Sequence, residues 1–340
     1  MPAVPAIDHP SAWTSAAIGG KEGLIHRLSD AQLEAIYALA IRIADKPLVE
    51  ITRADVDDPE LVTLMTSVRF DIQRGKAATV LSGVEIGGMS EAVFHRVFWA
   101  LGTHLGEGAV QSARRDLVGR VEKLEDNPAG RGYQSDIELG SHCDFHEILA
   151  LASYRAADEG GLSGLVSSLA VHDIMQAEHP DLLAALYRGF RHQCASPEDL
   201  SDENIPVFCD VEGKISCFYH GLFMMNAAKT LGTPLPADLI EAQRVFNEIA
   251  LRPDVKASFL LEPGEMVFWH NFVCLHSRTS FKDRSEHRRL LFRLWLHAQP
   301  GESRAMHPAF VGRARQMDAV HQQGKPALVY NLGELIEAQR

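Results

Sequence analysis

Two side chains that can bind a metal, His142 and Asp144, are separated by one residue in the sequence SHCDFHE. In an extended strand, residues i and i+2 project from the same face, so this imidazole and carboxylate can bind one cation together. A third ligand must come from elsewhere in the chain, and His276 in VCLHSR is a candidate. Two histidines and one carboxylate on one face of a metal leave open coordination positions, as in non-haem Fe(II) oxygenases.

His146 is the competing third ligand, because it follows His142 by only four residues. With it, His142, Asp144 and His146 would form an entirely local zinc site of the kind that hydrolases use. The chain has 16 histidines, so a single histidine is weak evidence for a ligand. The sequence around His142 and Asp144 therefore leaves the choice of third ligand, His276 or His146, open.

Two arginines four residues apart, Arg289 and Arg293, stand in the apolar sequence RLLFRLWL. Alternation in a strand places them on one face with Leu291 and Trp295. So apolar a strand is predicted to be buried, and a buried guanidinium is costly unless it is paired. An internal acid or a solvated edge would satisfy it, but a dicarboxylate ligand would do so through paired hydrogen bonds. A metal and a diacid would then share one cavity, which favours His276 as the third ligand.

The elements that must position these residues change in character near residue 131. Residues 1–130 are predicted to be mostly helical, with a capping box at Ser29. Residues 131–300 are predicted to form short strands joined by turns. The predicted helices are 29–44, a helix beginning at Pro59, 90–105, 180–188, 236–250 and 332–338; the predicted strands are 148–154, 165–171, 205–209, 214–219, 257–261, 266–269, 273–276 and 290–297, with a loop after Pro300. This pattern predicts an α+β, mainly β fold with a jelly-roll core wrapped by helices, in one domain spanning 1–340.

Composition narrows the classes of function. The net charge of −12 argues against a nucleic-acid-binding surface, and no stretch has the roughly 20 apolar residues that span a bilayer. The N-terminal sequence lacks the basic and apolar regions of a signal peptide, so we expect a cytoplasmic protein with no membrane partner. The five cysteines include no CxxC pair and are expected to be buried thiols. A small-molecule substrate is the expected partner, and a homo-oligomer is compatible with the sequence.

Several motifs, taken in order, resemble those of the TauD/TfdA family of 2-oxoglutarate oxygenases. Besides HxD and the arginine strand, they are LGEGAVQ (105–111), GRV (119–121), GY (132–133), GGLS (160–163), the hairpin VFCDVEGKIS (207–216), PGE (263–265) and HSRTSFKD (276–283). The resemblance covers roughly residues 80 to 300. It implies a double-stranded β-helix (cupin-like jelly roll) and the cofactor set Fe(II), 2-oxoglutarate and O2.

The resemblance also implies residue roles. His142, Asp144 and His276 would bind Fe(II), while Arg289, assisted by Ser163, would hold the distal carboxylate of 2-oxoglutarate. Arg293 would lie near the cosubstrate or near an anionic group of the substrate, and Arg288 is the alternative to Arg289. Because the carboxylate of Asp144 fills the position that halogenases leave to halide, hydroxylation or desaturation of an unactivated C–H bond is expected, with release of succinate and CO2.

Residues around these motifs are the candidates for substrate contact. They are Gln111, Phe145, His146, Glu147, Tyr219, His220 and Phe223. Trp269 and Asn271, just before the distal histidine, are expected to orient His276. The substrate is predicted to be a small or medium amphiphilic molecule bearing a carboxylate or an amine. The alternatives are a zinc hydrolase and a non-catalytic jelly-roll binding protein in which the arginines hold an anion.

Overall fold

The computed structural model describes residues 6–111, 115–127, 132–194 and 199–322. Its helices are α1 (Ser15–Ile18), α2 (Asp30–Arg42), α3 (Pro59–Arg74), α4 (Glu91–Gly102), α5 (Ser168–Glu178), α6 (Pro180–Arg188), α7 (Gly221–Leu231), α8 (Ala237–Leu251) and α9 (Pro308–Gln322). Its strands are β1 (Ile25–Arg27), β2 (Ala78–Ser82), β3 (Gly106–Gly108), β4 (Val118–Val121), β5 (Leu139–His142), β6 (Ile148–Arg155), β7 (Glu159–Gly160), β8 (Ser163–Ser167), β9 (Phe208–Val211), β10 (Lys214–Cys217), β11 (Ala257–Phe259), β12 (Met266–His270), β13 (Cys274–Arg278), β14 (Phe281–Lys282) and β15 (Leu290–Ala298).

Two sheets form the core. The larger has the strand order β1-β2-β12-β6-β15-β3, with β4 also paired to β15, and the smaller has the order β11-β8-β13-β5. Side chains from both sheets, including Leu149, Leu165, Trp269 and Cys274, pack together in one buried cluster. The two sheets therefore face each other, as expected for the predicted jelly-roll core.

Helices cover the outer faces of both sheets. α2, α3 and α4 pack on the larger sheet against alternate residues of β6, β12 and β15. α5, α6, α7 and α8 pack around the smaller sheet with the β9–β10 hairpin. Along β15, Leu290, Phe292, Leu294 and Leu296 face the helices while Leu291 and Trp295 face the second sheet. The predicted alternation of this strand is confirmed.

The β9–β10 hairpin turns at Glu212-Gly213, as predicted. Both residues have positive φ, 54° and 76°, which is the backbone of the two-residue turns that suit the twist of paired strands. The predicted strand 205–209 is shifted towards the turn in β9, and the predicted strand 214–219 begins as predicted but ends two residues earlier in β10. The Glu212-Gly213 turn therefore predicted the position of the hairpin more accurately than the runs of apolar residues did.

The predicted strand 165–171 was wrong in its second half. The strand ends at Ser167, whose hydroxyl accepts a hydrogen bond from the backbone N–H of Ala170 at 3.1 Å. That cap begins α5, and the apolar residues Leu169 and Val171 are buried on a helix rather than on a strand.

The predicted loop after Pro300 was also wrong, because α9 begins at Pro308. Phe310, Arg313 and Met317 recur at helical spacing and are buried. A buried stripe of this kind, which has an arginine between two apolar residues, carries little signal at the sequence level. α7, for which no helix was predicted, follows the β9–β10 hairpin, and the predicted helix 332–338 lies outside the described residues. In the described part of the chain, no helix is both long and apolar enough to span a membrane.

Candidate metal centre and its cavity

His142, Asp144 and His276 converge at one end of the smaller sheet. His142 and His276 are directly paired across β5 and β13, and their ring centroids lie 4.2 Å apart. Asp144 follows β5, with one carboxylate oxygen 4.0 Å from His142 Nε2 and the other 3.9 Å from His276 Nε2. The three potential ligand atoms lie within 4.8 Å of one another. The geometry brings together two imidazoles and a carboxylate that could share one cation.

The backbone around this cluster holds its side chains in orientations suited to a metal. His142 Nδ1 lies 2.8 Å from the carbonyl oxygen of Gly140, which favours a proton on Nδ1 and a lone pair on Nε2. The Asn271 amide donates to the carbonyls of Asp144 and His146 at 2.6 and 2.9 Å and accepts from the Asp144 N–H. Asn271 therefore fixes the loop that carries Asp144, whereas Trp269 lies beside His276, with ring centroids 5.2 Å apart.

The surroundings of Asp144 and His276 shift their pKa values in the directions that suit metal binding. Burial lowers the pKa of His276 to about 3, with His142 and Arg293 adding to this effect and Asp144 opposing it. Burial alone would raise the pKa of Asp144, but the neighbouring His276, Arg293 and His142 lower it well below its usual range. At neutral pH the cluster therefore presents an ionised carboxylate beside a neutral His276 imidazole, and metal binding needs no proton release from either.

Trp295 contacts the cluster directly, which the sequence did not reveal. Its indole Nε1 donates a hydrogen bond to Asp144 Oδ2 at 2.9 Å. The His146 ring stacks on the Trp295 indole, with ring centroids 4.7 Å apart. The guanidinium carbon of Arg293 lies 4.1 Å from the indole centroid. Alternation along β15 placed Trp295 on the cavity face, but only the fold shows which atom it reaches.

We expect Trp295→Phe to weaken binding of a divalent metal at this cluster by about 10-fold, because hydrogen-bond partners of metal ligands typically contribute that much. The substitution keeps an aromatic ring and removes the donor to Asp144. Trp269→Phe is the matched control, since Trp269 is also buried beside the cluster but its Nε1 has no hydrogen-bond partner among the described residues. Metal titration of both variants is the measurement. Equal affinities would show that the indole hydrogen bond does not position Asp144.

Three arginines form a positively charged wall of the same cavity. Arg289 and Arg293 are 3% and 8% exposed, and Arg278 is 6% exposed. Burial lowers the pKa of Arg289 to about 10, an effect that Asp283 opposes, and burial with the nearby Arg289 lowers the pKa of Arg278 to about 9. Arg288, the alternative to Arg289, instead points outward to Glu125 at 3.1 Å. A buried cationic wall of this kind favours an anionic ligand.

Arg293 is held in place by the Tyr133 ring and by Gln111. Its guanidinium carbon lies 4.4 Å from the Tyr133 ring centroid, and its Nε donates to Gln111 Oε1 at 2.8 Å. The Gln111 amide in turn donates to the backbone carbonyls of Arg293 and Leu117 at 2.7 and 2.9 Å. Gln111 thus lies behind Arg293 and does not line the cavity.

The Gly160-Gly161 turn allows Arg289 to approach the cavity. Both glycines have positive φ, 72° and 67°. A Cβ atom on Gly161 would lie 3.2 Å from Arg289 Nε, and one on Gly160 would lie 2.2 Å from the carbonyl oxygen of Ser280. Ser163, which begins β8 two residues later, is buried and lines the cavity with Arg289. The turn needs glycine for its backbone and for space.

The cavity includes some of the residues predicted to contact substrate and excludes others. Phe145, Tyr219, His220 and Phe223 line it. Glu147 is turned away, because its carboxylate binds the Ser303 hydroxyl and the Arg304 N–H and lies 3.3 Å from His270. His146 is likewise outside, with Nε2 2.8 Å from Asp318 on α9. His146 therefore does not join His142 and Asp144, and the local zinc site is not formed in this structure.

Two lining residues come from α8 and had no sequence signal. Asn247 donates to the Tyr219 hydroxyl at 2.8 Å, and Leu251 lies at the end of the helix. Both belong to an ordinary amphipathic helix, so only the packing of α8 beside β5 reveals their position. Across the cavity, the His220 ring stacks on Phe223 with centroids 3.5 Å apart and lies 5.4 Å from His142.

Comparison with known proteins identifies similar sequences and folds. The family model described as taurine catabolism dioxygenase TauD, TfdA family matches residues 44–295. FR-33289 synthase of Streptomyces rubellomurinus is 27% identical over 312 residues, covering 86% of this chain and 90% of that protein. Taurine hydroxylase-like protein SAT17 of Stachybotrys chartarum is 27% identical over 290 residues, covering 79% of this chain and 74% of that protein.

Solved structures share the fold. Asparagine oxygenase in complex with Fe(II), 2S,3S-3-hydroxyasparagine and succinate superposes with a TM-score of 0.66 at 18% identity, covering 84% of this chain and 98% of that one. The non-haem iron oxygenase OrfP in complex with Fe and alpha-ketoglutaric acid gives a TM-score of 0.63 at 14% identity, covering 89% and 99%. At these identities the match shows the jelly-roll architecture of the oxygenases and leaves the substrate undetermined.

Proposed function

This chain belongs to the TauD/TfdA family and is an Fe(II)- and 2-oxoglutarate-dependent dioxygenase that hydroxylates its substrate; we propose that His142, Asp144 and His276 bind the iron and that Arg289 binds the cosubstrate. The observation that carries the assignment is the convergence of the three ligands and Arg289 on one cavity. Two imidazoles and one carboxylate are a donor set that suits Fe(II) and leaves open positions.

The bound iron, with 2-oxoglutarate and O2, supplies the oxidising power that converts a C–H bond to C–OH while 2-oxoglutarate becomes succinate and CO2. The residues of this chain orient the metal ligands and bind the cosubstrate. Asp144 is oriented by Trp295 Nε1, and its loop is held by the Asn271 amide. Arg289 and Ser163 are both buried, and their guanidinium and hydroxyl groups would bind the distal carboxylate of 2-oxoglutarate.

The zinc-hydrolase alternative loses its third ligand, because His146 Nε2 lies against Asp318 instead of His142 and Asp144. The alternative of a non-catalytic anion-binding protein explains the arginines but gives no role to three converging metal ligands. Measuring succinate formation from 2-oxoglutarate in the presence of Fe(II), O2 and a panel of small acids and amines tests the proposal. Metal-loaded protein that forms no succinate with any member of a broad panel argues for the binding-protein alternative.

We propose that the substrate is a small or medium amphiphilic molecule with an anionic group. The cavity has a cationic end at Arg293, an apolar wall that includes Phe145 and Phe223, and polar groups at Asn247 and His220. Two of the similar structures contain hydroxylated amino acids, 3-hydroxyasparagine and (3S)-hydroxy-L-Arg, which carry both a carboxylate and an amine. An amino acid or a related acid is therefore the first class to screen.

We expect Arg293→Gln to raise the KM for an acidic substrate by roughly 10- to 100-fold, because hydrogen bonds to charged groups contribute about 1.5–3 kcal/mol. The KM for 2-oxoglutarate should change by less than about 3-fold, since Arg289 remains. Steady-state kinetics with each ligand varied separately is the measurement. The opposite pattern would assign Arg293 to the cosubstrate.

We also propose a cytoplasmic location. Cys143, Cys194, Cys209, Cys217 and Cys274 are all buried free thiols. A reducing compartment keeps such thiols reduced and available for close packing. Fractionation of the producing cells, with thiol labelling of the unfolded chain, would test both the location and the redox state.

A further inference from the structure

A second cluster of side chains that could bind a metal lies behind Asp144 and contains none of the residues proposed above to bind iron or 2-oxoglutarate. His146 follows β5, His297 is near the end of β15, and Asp318 lies in the last turns of α9. His146 Nε2 is 2.8 Å from Asp318 Oδ1, and His297 Nε2 is 3.4 Å from Asp318 Oδ2. The two imidazole rings are 5.3 Å apart, so one carboxylate lies between two histidines.

We propose that His146, His297 and Asp318 form a second site for a divalent transition-metal ion of the zinc class. The three potential ligand atoms lie within 4.8 Å of one another, the same limit that His142, Asp144 and His276 satisfy. Imidazole nitrogen and carboxylate oxygen are the ligands that zinc-class ions prefer, whereas Mg²⁺ and Ca²⁺ prefer oxygen alone. Three protein ligands leave a fourth position for water.

The site is accessible to an ion from one side. The His146 side chain is 2% exposed and forms the floor, whereas the Asp318 and His297 side chains are 23% and 47% exposed and form the opening. Without a metal, His146 Nε2 donates a hydrogen bond to the Asp318 carboxylate, which can only accept. A metal bound at Nε2 would replace this hydrogen bond, and the ring proton would then be on Nδ1, which has no hydrogen-bond partner among the described residues.

The ion would join three separate parts of the chain. α9 already packs on the core through Phe310, which stacks on Phe145 with ring centroids 6.3 Å apart, and through Arg313, which binds Asp199 at 2.7 Å. A metal bound to Asp318 would add a link from α9 to the loop after β5 and to β15. We therefore infer that this ion anchors α9 beside the wall of the cavity that Phe145 forms.

The site is also connected to the catalytic cluster. His146 lies two residues after Asp144, and His297 lies two residues after Trp295, which donates to Asp144. The His146 ring stacks on the Trp295 indole. An ion that fixes both histidines would therefore restrain the two partners of the Asp144–Trp295 hydrogen bond from behind.

Counting metal equivalents in the full-length, metal-free protein tests the proposal. Anaerobic titration with Co²⁺, followed by visible absorption, and elemental analysis of bound Zn²⁺ after gel filtration measure occupancy. We expect two equivalents in the unmodified protein, one in His276→Ala, one in His297→Ala and none in the double variant. His287→Ala, which removes an exposed histidine outside both clusters, should retain two.

If neither His297→Ala nor Asp318→Asn lowers the number of metal equivalents bound, the proposal is overturned. Asp318 would then only accept hydrogen bonds from the two histidines. Failure of the proposed function gives a different result. If the iron site proposed at His142, Asp144 and His276 does not bind metal, the equivalent that depends on His276 is missing, and the equivalent that depends on His297 remains. Thermal unfolding gives an independent readout. Zn²⁺ should raise the Tm of His276→Ala and leave the Tm of the His276→Ala/His297→Ala variant unchanged.

Discussion

Asp144→Asn is expected to weaken Fe(II) binding and to lower turnover by roughly 100-fold to several thousandfold. The substitution keeps the shape of the side chain but removes the negative charge from a site that contains two imidazoles and the nearby Arg293. Removing one partner from a buried group of charges typically costs about 3–5 kcal/mol, and each 1.4 kcal/mol corresponds to about a factor of ten.

Iron affinity measured anaerobically and single-turnover succinate formation separate loss of metal from loss of chemistry. Asp238→Asn is the control, because Asp238 forms an exposed ion pair with Arg188, of a kind that contributes little. An Asp144→Asn variant that binds Fe(II) as tightly as the unmodified protein would remove Asp144 from the ligand set.

Arg289→Gln is expected to raise the KM for 2-oxoglutarate by about 100-fold or more, because it removes a buried guanidinium from the cosubstrate's distal carboxylate. Arg289→Lys should recover part of the affinity, since an ammonium keeps the charge but loses the paired hydrogen bonds. Initial rates of succinate formation over a wide range of 2-oxoglutarate concentrations provide the measurement.

The neighbouring Arg288 supplies a matched control for this prediction. It is exposed and bound to Glu125, so Arg288→Gln should leave the KM for 2-oxoglutarate within about 2-fold of the original value. If Arg288→Gln raises the KM and Arg289→Gln does not, the assignment of the distal carboxylate of 2-oxoglutarate to Arg289 is wrong.

The jelly-roll core and the faces of β15 could be predicted because they depend on local periodicity. Alternation in RLLFRLWL correctly separates Leu290 and Phe292, on the helix-covered face, from Leu291 and Trp295. The spacing of His142 and Asp144 also suggested a shared cation, and the cross-strand pairing of His142 with His276 shows why a residue so distant in sequence lies beside them.

Contacts that depend on long-range packing could not be predicted. The hydrogen bond between His146 and Asp318 joins residues that are 172 positions apart. Asp318 lies in α9, a helix that was not predicted from the sequence. The indole of Trp295 reaches Asp144 across 151 positions, and Gln111 reaches Arg293 across 182. No local pattern encodes which atom lies opposite which once the two sheets and α9 are packed. The wrong strand assignment of Ser168–Val171 has a different origin, because a serine cap outweighed the β-branched and apolar character of the run.

The most direct test of the proposed site is an anaerobic titration in which Fe(II) is added first and 2-oxoglutarate second, followed by visible absorption. Chelation of iron by the 2-oxo acid should produce a charge-transfer band that saturates at one equivalent of 2-oxoglutarate. The band should be absent in Asp144→Asn and should require much higher 2-oxoglutarate concentrations in Arg289→Gln than in Arg288→Gln. Iron-loaded protein that shows no band on addition of 2-oxoglutarate would contradict the proposal that this cavity holds the metal and the cosubstrate together.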